Sequence, residues 1–138
     1  MKKPKLFASL LLCSVLFFSA CTPSFDYITN TNEIITNGSW SVSYFYAGTD
    51  KTGTLGNYTF RFNTSGTVEC EGSNHTTTGT WQVAKDIEGN DVFHLQLNTQ
   101  NDELKQLNSD WKVTGKSMVN VALKEEGHGN GQLQINKY

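Results

Sequence analysis

From Trp40 to Ile135, apolar residues recur at every second position in about eight short runs, and turn-forming residues separate the runs. Period 2 belongs to a strand, because successive side chains point to opposite faces. Trp40, Val42, Tyr44 and Tyr46 alternate with Ser41, Ser43 and Phe45. Tyr58, Phe60 and Phe62 alternate with Thr59 and Arg61, and Val68 and Cys70 with Thr67, Glu69 and Glu71. Trp81 and Val83 follow a threonine run, and Phe93, Leu95 and Leu97 alternate with His94 and Gln96. Trp111 with Val113, then Val119, Val121 and Leu123, then Leu133 and Ile135 complete the series.

The connectors carry turn chemistry. Asn63-Thr64-Ser65-Gly66, Glu88-Gly89-Asn90-Asp91 and Gly127-His128-Gly129-Asn130-Gly131 place glycine where a hairpin loop favours positive φ. No proline follows Pro23. Only the 102–108 stretch suggests a helical turn, with Leu104 and Leu107 on one side. Connectors this short hide no crossover helices, so strands pair with their sequence neighbours. A meander leaves two edges exposed unless it closes, and closure removes both. The expected fold is therefore all-β: an antiparallel up-and-down barrel of about eight strands over residues 37–138, with a β-sandwich as the alternative. Eight strands enclose room for side chains or one small ligand.

The first twenty residues read as an export signal. Lys2, Lys3 and Lys5 precede an apolar run from Leu6 to Phe18, and Ser19-Ala20 supplies small residues before Cys21. The run is short for a bilayer span, which needs about 20 apolar residues. Phe18-Ser19-Ala20-Cys21 resembles the lipobox of bacterial lipoproteins, with Phe18 where that motif usually has leucine. Cys13 is a poorer match, since Leu12 before it is not small. The resemblance implies that Cys21 is acylated and becomes the mature N-terminus, so the membrane is an expected partner. It also implies more than one acyl chain, which holds a protein far more firmly than one. Residues 21–36 then form a lipidated N-terminus and tether, in which Phe25, Tyr27, Ile28, Ile34 and Ile35 offer docking side chains.

Losing the signal removes three of the 11 basic residues and none of the 13 acidic ones, leaving a net charge of about −5. An acidic surface without basic clusters repels phosphate backbones, which excludes nucleic acid as a partner. Of three cysteines, Cys13 leaves with the signal and Cys21 takes the lipid, so Cys70 has no partner for a disulfide.

Gly38-Ser39-Trp40 opens the first run as a Gly-x-Trp. This looks like the start of a lipocalin, where the tryptophan plugs the closed end of the barrel; Gly38 and Trp40 are the corresponding barrel-closing residues here. Tyr58-Thr59-Phe60-Arg61-Phe62 continuing to Gly66-Thr67-Val68, then Gly79-Thr80-Trp81, is similar to small lipocalin-like lipoproteins of Bacteroidetes bacteria. So is Asp102-Glu103-Leu104 with Leu107-Asn108-Ser109-Asp110-Trp111-Lys112-Val113. The resemblance spans roughly residues 36–138, and its motifs are structural rather than catalytic. The Thr-Asp-Tyr signature and late arginine of true lipocalins are not evident.

If Trp40 marks the closed end, the open rim comprises residues 47–56, 72–77, 99–109 and 125–130. Tyr44, Tyr46, Tyr58, Phe60, Trp81, Phe93 and Leu95, with Cys70, Val121 and Leu133, are expected to face inward. An aromatic cup with a few hydroxyls suits a small apolar ligand; the plainer alternative is that these side chains fill one another's space. His75 and His128 fall on the rim and His94 faces outward, without the HxH or HxxxH spacing that a metal site uses. Cys70 reads as a small buried hydrophobe. There is no G-x-S-x-G, phosphate loop or carboxylate pair, so no cofactor and no catalysis are expected. Asn37-Gly38-Ser39, Asn57-Tyr58-Thr59, Asn63-Thr64-Ser65 and Asn74-His75-Thr76 are read as strand and turn composition rather than glycosylation sites.

The expected function is thus a non-enzymatic, membrane-anchored lipoprotein holding a small apolar ligand in the barrel mouth. The alternative is a structural or protein-binding lipoprotein, inhibitor-like, that works through its loops, its protein partner unknown. Thr22 after the cysteine favours the outer membrane, and the lack of a dense acidic run behind it favours the periplasmic face over the cell surface.

Overall fold

The computed structural model describes residues 30–138. The export signal, Cys21 and the tether up to residue 29 lie outside the described residues. Eight strands close into one antiparallel barrel in sequence order: β1 (Ser39–Tyr46), β2 (Thr59–Phe62), β3 (Thr67–Gly72), β4 (His75–Lys85), β5 (Asp91–Leu97), β6 (Ser109–Lys116), β7 (Asn120–Glu125) and β8 (Gln132–Lys137). Strand β1 pairs with β8 from Trp40↔Lys137 to Tyr46↔Gln132, which seals the barrel without an edge. The expected barrel is the one observed, and the sandwich is not.

Among the described residues, three short helices accompany the strands. Helix α1 (Thr31–Thr36) precedes β1, α2 (Thr52–Leu55) follows it, and α3 (Asp102–Lys105) lies between β5 and β6. Asn30 caps α1 by accepting from the Asn32 N–H at 3.0 Å, and Ile34 and Ile35 are buried beneath it. The end of the sequence-read tether is therefore a helix packed into the core. Gly38 then turns the chain into β1 at φ +102°, a left-handed conformation that other residues rarely adopt. Two residues on, the fully buried Trp40 donates its indole N–H to the Ile35 carbonyl at 2.8 Å, locking α1 across this end.

The opposite end is also covered. Leu55 of α2, Leu104 of α3 and Leu107 just after it are buried. Asn101 caps α3 by accepting from the Glu103 and Leu104 N–H groups, while its own amide donates to the Tyr58 hydroxyl at 3.0 Å. Lys51 donates to the Gln106 side chain at 2.5 Å, joining the α2 and α3 loops. Trp111 hydrogen-bonds the Leu107 carbonyl at 2.9 Å and packs edge-on to Phe45.

Two strands carry bulges. Val42 pairs with Ile135 and Tyr44 with Gln134, so Ser43 is an extra residue in β1; Val113 and Gly115 bracket Thr114 in β6 in the same way. Each extra residue is exposed and donates its hydroxyl to the carbonyl across the ladder, Ser43 to Gln134 and Thr114 to Ala122, both at 3.2 Å. A bulge restarts the in–out alternation one residue later. At Gly79 of β4, a Cβ would stand 2.1 Å from the Gln96 carbonyl oxygen of β5. Only glycine fits there.

Candidate functional site

The barrel axis is occupied by side chains. Phe60, Phe62, Trp81 and Phe93 form one aromatic cluster, with Phe62 edge-on to Trp81 at 5.6 Å and to Phe93 at 5.5 Å. Trp81 satisfies its indole N–H on the Asn63 carbonyl at 3.0 Å. Leu95, Val121 and Leu133 face inward and are buried, as is Cys70, which pairs with Phe60 and Thr77. The space left among Val42, Phe60, Phe93, Leu107, Leu133 and Ile135 is about 10 Å³. That barely admits one water, whereas ligand pockets run to several hundred Å³. Phe60, Trp81, Phe93 and Leu95 therefore fill the barrel rather than line a cup.

Tyr44 and Tyr46 do not face inward. Their partners on β8 are the exposed Gln134 and Gln132, whereas Phe45 pairs with the buried Leu133. Paired residues share a face, so the Ser43 bulge turns Phe45 in and both tyrosines out. Tyr58 lies before β2 rather than within it, half-buried against Gly72. Val119, read as the start of a strand run, sits in the β6–β7 turn, mostly exposed.

Burial, reinforced by the neighbouring Glu71, pushes the Cys70 thiol up to about 12, so it stays protonated. His75, at the start of β4, and His128, in the β7–β8 loop, are both exposed. Among the described residues, no three His, Cys, Asp or Glu side chains converge as a metal site would require.

The large concavities lie outside the barrel. Two adjoining depressions of about 580 and 510 Å³ run along the outer wall of β4, β5 and the start of β6, sharing Thr80, Gln96 and Asn108. Thr80, Gln82, His94, Gln96 and Asp110 present their outward side chains there, between the inward Trp81 and Leu95. His94 Nδ1 stands 2.5 Å from Asp110 Oδ1. The wall opens just beyond this pair, since β5 and β6 pair only from Val92↔Lys112 to Leu95↔Ser109. Ser109 lies opposite the inward Leu95 and donates to Glu125 at 3.3 Å, so it is not aligned with His94. The groove is polar and offers amides, hydroxyls and one imidazole–carboxylate pair.

A second polar centre sits where α1 meets β5 and β6. Asp91 accepts from Lys116 at 2.8 Å and from the Thr31 hydroxyl, and pairs with Lys85 at 2.5 Å. Burial would raise the Asp91 carboxyl, but hydrogen bonds from Lys116, Lys85 and Thr31 outweigh it and hold the group well below the usual carboxylate range. Its donors are all internal, so this centre fastens the α1 end rather than awaiting a ligand.

The groove residues are poorly legible in sequence. His94 and Gln96 read as outward-facing, but which strands flank them, and the gap that Asn108 spans, depend on register.

In fold, the chain resembles a crystal structure of a DUF4847 family protein from Bacteroides vulgatus ATCC 8482. The TM-score is 0.57 at 19% sequence identity, covering 79% of this chain and 98% of that one. The likeness extends to the barrel architecture. No protein-family model and no curated protein matches the chain.

Proposed function

We propose that this barrel is a lipid-anchored, non-enzymatic binding lipoprotein of the Bacteroidetes type that recognises a protein partner through its outer surface. The observation that carries the reading is the contrast between a filled interior and a polar wall groove. An interior void of about 10 Å³ gives a small apolar ligand no place, whereas the groove of about 580 Å³ presents hydrogen-bonding groups on a rigid sheet. Such groups on a preordered scaffold recognise a hydrophilic surface at little cost in ordering. The fold likeness to a Bacteroides protein supports the setting, and the lipobox-like Phe18-Ser19-Ala20-Cys21 supports the anchor. The sealed Cys70 and the misaligned Ser109 favour binding over catalysis. Outer-membrane attachment on the periplasmic side remains part of the reading, on the grounds of Thr22 and the residues behind it.

The test is affinity capture from detergent-solubilised membranes of the source bacterium, comparing the anchored chain with a His94→Ala/Gln96→Arg variant. A Glu69→Gln variant on the β3 wall serves as control. A protein held by the wild type and the control but lost by the groove variant is the expected result. Equal capture by all three, or by none, contradicts recognition at the groove. The anchor is tested separately: Cys21→Ala is expected to leave the detergent phase for the aqueous phase, and its retention in the detergent phase contradicts lipidation.

A further inference from the structure

Among the described residues, the large apolar side chains that stand exposed are Ile87, Met118, Val119 and Tyr138, at 105%, 39%, 60% and 89% of full exposure. All four are at one end of the barrel. Ile87 occupies the β4–β5 turn, Met118 and Val119 the β6–β7 turn, and Tyr138 follows β8. The Tyr138 N–H donates to the Ser39 carbonyl and the Lys137 N–H to the Val119 carbonyl, which ties the chain end to that turn and to the start of β1. This is the end that α1 covers, since Lys116, just before the β6–β7 turn, donates to Thr31. Single exposed apolar residues are ordinary on any protein surface. Four confined to two hairpin tips and a strand end form a polarised set.

The chain leading into α1 indicates what meets that end. Nine residue steps separate Cys21 from Asn30, a reach of at most about 30 Å. Strand β1, with its eight residues, is about 26 Å long, so the tether reaches about one strand length. The chain enters the barrel at α1, so an anchor at Cys21 keeps that end within about 30 Å of the bilayer. The carboxylates near the β4–β5 turn are matched there as a set: Asp86 and Glu88 share Lys112, and Asp91 is held by both Lys85 and Lys116. Their paired charge does not oppose approach to lipid headgroups.

We infer that the α1 end is a lipid-contacting surface. The tips bearing Ile87, Met118 and Val119, with Tyr138 beside them, rest in the interfacial layer of the membrane that holds Cys21. Apolar tips enter the headgroup–acyl boundary, and a tyrosine ring with its hydroxyl suits the headgroup level. This orientation points the α2–α3 end away from the bilayer and leaves the wall groove in water. The inference rests on the lipid-anchor reading and adds a second, weaker attachment to it.

The test places a spin label at Met118→Cys, and separately at Asn130→Cys on the opposite end, in the full lipidated chain on phosphatidylethanolamine–phosphatidylglycerol vesicles. Buried Cys70 does not compete for the label. The expected result is a Met118 label that meets oxygen several-fold more readily than a water-soluble nickel chelate, with the reverse at Asn130. A Met118 label as accessible to the chelate as the Asn130 label overturns the inference while the anchor stands. Spectral broadening at Met118 that disappears on dilution with unlabelled chain also overturns it, by showing a second copy on that face. A chain that fails to stay on the vesicles overturns the anchor reading and this inference together.

Discussion

The side-chain amide of Asn108 pairs with the backbone of Leu97 as a strand residue would. Its Oδ1 accepts from the Leu97 N–H at 2.7 Å, and its Nδ2 donates to the Leu97 carbonyl at 3.0 Å. It stands just before β6 begins to pair with β5, so one side chain carries the wall across the gap beneath the groove. Asn108→Ala leaves both Leu97 groups without this partner. The expected loss is about 1–3 kcal/mol, read as a lower urea midpoint, with hydrogen exchange speeding first at Leu97.

Phe93 lies at the centre of the aromatic cluster, 1% exposed, between Phe62 and Trp81. Phe93→Ala is expected to cost about 3–5 kcal/mol by opening a dry cavity. The same variant should acquire binding of a benzene-sized probe that the wild type excludes. Calorimetric titration with such a probe separates the two; binding by the wild type would mean that the interior is not full.

Asp91 gives the fold a defined acid dependence. Its folded carboxyl sits below its ordinary value of about 3.9, so the unfolded chain binds the proton more readily. The stabilisation is therefore fully present at neutral pH, begins to fade below about pH 5, and is lost as pH falls through the folded value. Asp91→Asn is expected to be less stable than wild type at pH 7, with the two converging between about pH 5 and pH 2. Thermal melts across that range check it, and a constant difference down to pH 2 counts against the Lys116–Asp91–Lys85 arrangement.

Cys70 is expected to resist thiol reagents at pH 8 in the folded protein, because burial keeps it protonated near pKa 12 and out of contact. Labelling should follow global unfolding and accelerate with urea. Prompt labelling in native buffer would show an opening near Phe60 and Thr77.

Alternation placed the barrel in the sequence because a closed meander buries one face of every strand, and that face must be apolar. Phe60, Trp81, Phe93 and Leu95 were readable for this reason, as was the helical turn bearing Leu104. The tyrosines of β1 were not. Ser43 is an ordinary polar residue in phase, and only the partner strand reveals it as a bulge that exchanges Phe45 for Tyr44 and Tyr46. Thr31–Thr36 also escaped, because a six-residue helix rich in threonine and isoleucine has weak helical propensity and forms through Ile34, Ile35 and Trp40. An aromatic inward face looks the same in sequence whether it lines a pocket or fills one. What decides is the covering of both ends, by α1 on one side and by Leu55, Leu104 and Leu107 on the other.

The barrel interior is a core, and the proposed recognition lies outside it. The deciding measurement is native mass spectrometry of residues 22–138 after incubation with a lipid and metabolite extract of the source organism. The predicted result is the bare protein mass, with no apolar adduct. A retained apolar mass that disappears on denaturation would instead make the barrel a carrier of small molecules.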